Sequence, residues 1–168
     1  MSEAVISLCG MYRYRLERRF IWPGQTVAVI MVNPSTADAT QDDATIRKLK
    51  GFADRHQWGR LVVGNLFAFR SKDVGDLARV PDPVGADNDA YLSQIMVEAD
   101  KVIVAWGPVA KQPKALRSRW RAIVSMADVL GKPLFSIGEP ARDGHPKHPL
   151  MLPYTNPLTP WNGPKPPA

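Results

Sequence analysis

Residues 26–32 read Thr-Val-Ala-Val-Ile-Met-Val and run directly into Asn33-Pro34-Ser35-Thr36. A continuous apolar run of this kind is what a strand buried on both faces requires. The Asn-Pro pair that ends it is turn chemistry. The pattern repeats at residues 60–64 (RLVVG), which lead into Asn65-Leu66-Phe67, and at residues 101–106 (KVIVAW), stopped by Gly107-Pro108. A shorter run at 133–137 (PLFSI) ends at Gly138.

Helical spacing fills the gaps. Asp42 or Asp43 caps a helix carrying Ile46, Leu49, Phe52, Ala53 and His56 on one stripe. Leu92, Ile95, Met96 and Ala99 form a second stripe, and Leu116, Trp120, Ile123, Val124 and Ala127 a third. A loop rich in Pro and Asp spans 73–85. Upstream, Tyr12, Tyr14 and Leu16 alternate with Arg13, Arg15 and Glu17, the two-residue period of a half-exposed strand. Six prolines in the sixteen residues 153–168 forbid a helix there and predict an extended tail over the surface. Strands alternating with helices predict an α/β fold. The expectation is one domain over 1–168: a three-layer sandwich whose mainly parallel central sheet has about four strands, with an antiparallel edge strand from the first segment.

The 168 residues include 45% hydrophobic and 23% charged side chains, which excludes wholesale disorder. No apolar run approaches the ~20 residues of a membrane-spanning helix. Cys9 is the only cysteine, so no internal disulfide and no cysteine-cluster metal site can form. With no charged-then-apolar signal pattern at the start, a cytoplasmic setting is expected. The net charge of +6 favours polyanions, nucleic acid above all, though a moderately charged protein without such a partner fits equally. The basic residues cluster at Arg13, Arg15, Arg18 and Arg19, and again at Lys111, Lys114, Arg117, Arg119 and Arg121.

Parallel strands with right-handed crossovers all end on one side, and ligands of open α/β sheets sit outside those carboxyl ends. The polar residues fall there. The first buried strand is followed by Asn33, Pro34, Ser35 and Asp38, the second by Asn65, Phe67 and Arg70, and the third by Trp106 and Gly107. The fourth leads to His145, Lys147, His148 and Leu150. Each set has a structural explanation when taken singly: turns, strand caps, core aromatics, or histidines bonded to backbone. Their recurrence at equivalent strand ends favours a shared cleft.

The four segments resemble the motif regions of the uracil-DNA glycosylase superfamily. Its first strand ends in a Gly-x-(Asp/Asn)-Pro loop carrying the water-activating residue; the segment here is Met31-Val32-Asn33-Pro34-Ser35, without the glycine. Its base-reading Asn corresponds to Asn65 in Val63-Gly64-Asn65-Leu66. Its third region corresponds to Val104-Ala105-Trp106-Gly107-Pro108-Val109-Ala110. Its His-Pro-Ser-Pro-Leu motif corresponds to His145-Pro146-Lys147-His148-Pro149-Leu150, one residue longer. The whole chain also resembles the bacterial and phage family of domains of unknown function numbered 1643, through Asn33-Pro34-Ser35-Thr36-Ala37, Asn65-Leu66-Phe67-Ala68, Ala105-Trp106-Gly107 and His148-Pro149-Leu150.

The glycosylase resemblance implies hydrolysis of an N-glycosidic bond of a modified or damaged base, with DNA or a nucleotide as the partner and no cofactor or metal. Under it Asn33 holds the water, and Asp38 is the nearest candidate for a missing carboxylate. His148 or His145 donates to the departing base. Asn65 reads the base, and Phe67 stacks on it beside Pro34, Ser35, Trp106 and Gly107. Arg70 and Lys147 meet phosphate, while Leu150 or Met151 forms a wedge. The missing glycine and the inserted lysine and histidine argue against ordinary uracil. Three other readings stay open. One is a non-catalytic nucleic-acid or nucleotide-binding module using the same cleft. Another is a metal-assisted hydrolase built on Asp38, Asp42, Asp43, His145 and His148. The last is a small α/β domain with only an interaction surface. A serine nucleophile at Ser35 lacks the Gly-x-Ser-x-Gly setting.

Overall fold

A computed structural model describes residues 2–164. Its strands are β1 (Ser2–Ile6), β2 (Arg13–Arg19), β3 (Thr26–Met31), β4 (Arg60–Asn65), β5 (Lys101–Val104), β6 (Leu134–Ile137) and β7 (Leu158–Pro160). Three α-helices follow the predicted stripes: α1 (Ala44–His56), α2 (Asn88–Glu98) and α3 (Trp120–Val129). The strands form one mixed sheet in the order β1-β2-β4-β3-β5-β6-β7. The chain is therefore an α/β protein.

Strand β3 runs parallel to β4 on one side and β5 on the other, and β6 is parallel to β5. The winding direction reverses at β3, between its two parallel neighbours. In an open α/β sheet that reversal opens a crevice beyond the strand ends.

The apolar strands are explained by burial on both faces. Ala28, Ile30, Val62, Val102 and Val104 pack with α2 and α3 through Leu92, Ile95, Met96, Ile123 and Ala127. Val27, Val29, Leu61, Val63 and Ile103 face the other way and pack with Ile46, Leu49, Phe52 and Ala53 of α1. Each large side chain so buried contributes roughly 1.5–3 kcal/mol. Helix α1 begins where the Asp43 carboxylate accepts the Ile46 N–H at 2.9 Å, and it ends at Gln57, whose φ is 55°. That cap ties the start of α1 to the loop leaving β3, which places it beside the crevice.

Two expectations need correction at the sheet edges. Strand β2 is antiparallel to β4 but is not an edge, because β1 pairs with its outer side. Nor does it show a polar exposed face: Arg13, Glu17 and Arg18 are buried with Tyr14 and Leu16. Burial of Glu17 and Arg18 is tolerated because they are paired. Glu17 takes hydrogen bonds from Arg15, Arg19 and Arg60, and Arg18 bonds Asp42. At the opposite edge the proline-rich tail is extended, as expected, but it does more than lie over the surface. Residues Leu158–Pro160 pair with β6, where a proline is tolerated because the outer side of an edge strand needs no N–H. Trp161 then inserts into the core, and its indole N–H donates to the Gly144 carbonyl at 2.8 Å. Residues 165–168 of that predicted tail lie outside the described residues. Among the described residues no helix is long and apolar enough to cross a membrane.

Candidate functional site

Three strand ends and the loop before residue 150 meet at the crevice. A small cavity of about 50 Å³ is lined by Asn33, Pro34 and Ser35 after β3, Asn65 at the end of β4, Arg13 of β2, Asp43 and Thr45 at the start of α1, and His148. It adjoins a cleft of about 470 Å³ bordered by Asn33, Asp43, Lys72, His148 and Leu150. A third space, of about 110 Å³, lies toward β5 between Val32, Val74, Trp106, Pro108, Lys111, Gln112 and His148. Val32 and His148 border all three, so the spaces lie side by side.

Local bonding fixes what each side chain offers. The Asn33 amide nitrogen donates to the Ser71 carbonyl at 2.9 Å and the Pro34 carbonyl at 3.3 Å. Only an N–H can serve those acceptors, so the Asn33 Oδ1 is left to accept from something else. Asp43 spends Oδ1 on its helix cap. Arg13 donates from Nη1 to the Ala37 carbonyl at 2.8 Å, but its Nε has no partner although buried. Burial pushes its guanidinium down to about 10, so it stays cationic at neutral pH. The Asn65 Nδ2 is likewise buried without a partner.

His148 is held on two sides. Its Nδ1 accepts the Leu150 N–H at 3.2 Å, which caps the short 3₁₀ turn Pro149–Met151 and leaves the proton on Nε2. Gly107 lies against its back. A Cβ there would come within 3.1 Å of the His148 Cβ, and Gly107 has φ +74°, a conformation that favours glycine. Burial lowers the His148 pKa below the usual 6.5, Lys111 lowers it further, and Asp43 opposes both. The imidazole is therefore neutral at pH 7.

Several predicted site residues lie elsewhere. Phe67 is fully buried in the core with Leu66 and Leu77 and has no face for a ligand, a correction to its predicted stacking role. His145 is buried outside the three spaces, edge-on to Trp120 and 3.5 Å from the Trp106 indole nitrogen, so it braces Trp106. The Asp38 carboxylate closes its own loop on the Thr40 and Gln41 N–H groups at 2.8 Å each, and those bonds lower its pKa. It does not line the cavity. Lys147 is exposed and lines none of the spaces. Arg70 lies in a neighbouring groove of about 390 Å³ that shares Ser35, Ser71 and Lys72 with the site. Leu150 stands on the cleft rim, 40% exposed, and Met151 beside it is more exposed still.

The cation-site residues are not gathered either. Asp42 is paired with Arg18 and Lys50. Among the described residues no three His, Cys, Asp or Glu side chains are grouped to hold a metal. The early arginine cluster is absorbed internally, by Glu17, Asp42 and the Ala37 carbonyl. From the later cluster, Arg117 binds the Ala110 and Gln112 carbonyls, and Arg119 binds the Leu66 carbonyl and pairs with Asp89.

Several lining residues carry no signal for this site in the sequence, among them Asp43, Arg13, Gln112 and Lys72. Asp43 enters the sequence reading as a helix cap and as a candidate cation ligand, not as the carboxylate of this cavity, yet a cap at the start of a helix that follows a parallel strand stands beside that strand's carboxyl end. Arg13 was counted as surface charge. Gln112 carries no motif at all.

The sequence profile of the family described as "Protein of unknown function (DUF1643)" matches residues 13–150. The chain belongs to this family. No curated protein and no solved structure matches it. The DUF1643 segment starts at Arg13, in the small cavity, and stops at Leu150, on the cleft rim, so every residue lining the three spaces lies inside it. The edge strands β1 and β7 lie outside it.

Proposed function

We propose that the site recognises a nucleobase and hydrolyses its N-glycosidic bond, with a modified or damaged base in DNA as substrate, on a uracil-DNA-glycosylase-like sandwich. The sheet order and the helices on both of its faces support that fold reading. The observation that carries the reaction is the convergence of Asn33, Asp43, Asn65 and His148 on one small cavity at the carboxyl ends of β3 and β4.

In this reading the Asn33 Oδ1 orients a water. Its oxygen bonds to the sugar carbon as the carbon–nitrogen bond breaks. Asp43 takes the water's proton, and its negative charge favours the oxocarbenium-like sugar. The electron pair of the broken bond leaves on the base, whose oxygen receives a hydrogen bond from the His148 Nε2–H. A proton from solvent completes the free base. A neutral donor suffices, in keeping with the lowered His148 pKa. Lys72 and Arg70 meet the backbone phosphates along the cleft and its side groove. Leu150 fills the gap left by a base flipped from the duplex.

The test is release of base from single-stranded and duplex DNAs carrying uracil, damaged bases and phage-type modified bases, read as alkali-labile abasic sites. Release that is lost in Asn33→Ala, Asp43→Asn and His148→Ala is expected. DNA binding with no release from any substrate refutes the hydrolase and leaves a binding module. Absence of both refutes the nucleic-acid reading.

A further inference from the structure

We propose that Gln112 is a specificity-determining residue that reads the hydrogen-bonding edge of a planar heterocycle seated in the space between β3 and β5. The inference rests on the nucleobase reading of the cleft and names which group selects the base.

Gln112 is 2% exposed, and neither its Oε1 nor its Nε2 has a partner. A buried amide left wholly unpaired is rare and calls for an explanation. Its backbone is nevertheless fixed. The Gln112 N–H donates to the Val109 carbonyl at 3.0 Å, and its carbonyl accepts the Arg117 Nε–H at 3.0 Å. Prolines 108 and 113 flank this turn and restrict it further. The side chain is thus presented from a rigid base.

The space it borders suits one ring. Its volume is about 110 Å³, below the ~150 Å³ of an apolar cavity that accepts benzene, so a single ring enters with a small outward shift of the walls. Val32, Val74, Pro108 and Trp106 supply apolar walls, and His148 closes the side shared with the small cavity. A carboxamide offers an adjacent donor and acceptor, the complement of the paired polar atoms on a base edge. Phe67, buried in the core, offers no such contact. The geometry therefore assigns edge reading to Gln112 and ring enclosure to the apolar walls.

The substitutions are Gln112→Met, similar in shape but without the amide, and Gln112→Glu, which keeps only acceptors. Free uracil, cytosine, adenine and guanine, each with its edge-methylated counterpart, are tested for binding by calorimetry. The same edge pairs are built into the base-release substrates and compared by kcat/KM. The wild type is expected to prefer at least one unmethylated base by about tenfold or more, the discrimination of a paired base contact. Gln112→Met should bring that ratio near one while the protein stays folded. Its ligand-free melting temperature should rise by a few degrees, because an unpaired buried amide is gone. Gln112→Glu should reorder the preference among bases. A ratio unchanged in both variants overturns the role of Gln112, and base release by the wild type then leaves the cleft reading standing. If no base binds and none is released, both fall.

Discussion

Replacing Glu17 by Gln removes a charge that three arginines depend on. The Glu17 side chain is 1% exposed and accepts from Arg15 Nη2 at 2.8 Å, Arg19 Nε at 2.7 Å, and Arg60 Nε and Nη2 at 2.8 Å each. Burial pushes its carboxyl pKa up, but the hydrogen bonds and charges of Arg60, Arg15 and Arg19 outweigh that and hold it at about 2 against an ordinary 4.5. At about 1.4 kcal/mol per pH unit, the difference is worth roughly 3 kcal/mol. The range for breaking a buried ion pair from one side, ~3–5 kcal/mol, agrees. For a chain of this size that is a fall in Tm of roughly 6–12 °C. The sign with pH follows from the depressed value. The contribution is complete above pH 4.5 and is lost as the pH falls from 4.5 toward 2. Urea unfolding from pH 7 down to pH 2 should therefore show a steep loss of stability in that window for the wild type and a shallower one for Glu17→Gln. The network joins β2 to Arg60 at the start of β4, the end opposite Asn65, so base release per folded molecule should not change. A Tm shift equivalent to less than ~1 kcal/mol would place Glu17 with ordinary surface pairs and refute the argument.

Asp43→Asn should keep the cap of α1 and melt near the wild-type temperature, yet lower base release by ~10²–10⁴, the usual worth of a general base. Asp43→Ala should lose both functions, with a further ~1 kcal/mol of stability seen in the same melts. Phe67→Leu should destabilise by about 1 kcal/mol and leave KM unchanged, since the ring is core; a raised KM restores it to the site. Gly107→Ala should cost ~1–2 kcal/mol for the left-handed backbone. By moving His148 it should reduce kcat more than KM, a split visible in steady-state kinetics. Release should hold steady at neutral pH and decline as the pH falls through a value below 6.5, because a protonated His148 can no longer accept the Leu150 N–H. A profile flat down to pH 4 refutes that role.

What could be read in the sequence was whatever shows in one residue's own chemistry. Strands β3 to β6 were legible because both their faces are apolar, as were the stripes of α1, α2 and α3. Strand β7 was hidden: three residues with a proline carry no strand signal, and pairing with β6 alone makes them one. The burial of β2 was hidden for another reason. Glu17 and Arg60 are far apart in the chain, and only their meeting lets Glu17 leave water. The same limit shaped the site. Asn33, Asn65 and His148 follow from strand ends and the loop after β6. Phe67 is assigned wrongly from sequence, because an aromatic after a strand looks the same whether it faces a ligand or the core. Asp43 is legible as a helix cap and a candidate cation ligand, but its place in this cavity depends on how α1 starts beside the end of β3.

The unpaired buried atoms divide the site into two chemistries. Among the described residues, six buried side-chain atoms lack a partner, and four of them belong to Arg13, Asn65 and Gln112. At ~1–3 kcal/mol for each such group, this is a large share of a net stability of ~5–15 kcal/mol. All three residues border spaces that meet at His148. Arg13 and Asn65 border a space of about 50 Å³ that Asn33 and Asp43 also line, which has the size and polarity to hold water. Gln112 borders the larger, mostly apolar space, which suits a ring. Hydrolysis of a base from a sugar needs these two environments side by side, a wet one for the nucleophile and a dry one for the leaving group. His148 borders both spaces, where the proposed reaction would need a hydrogen bond to the departing base.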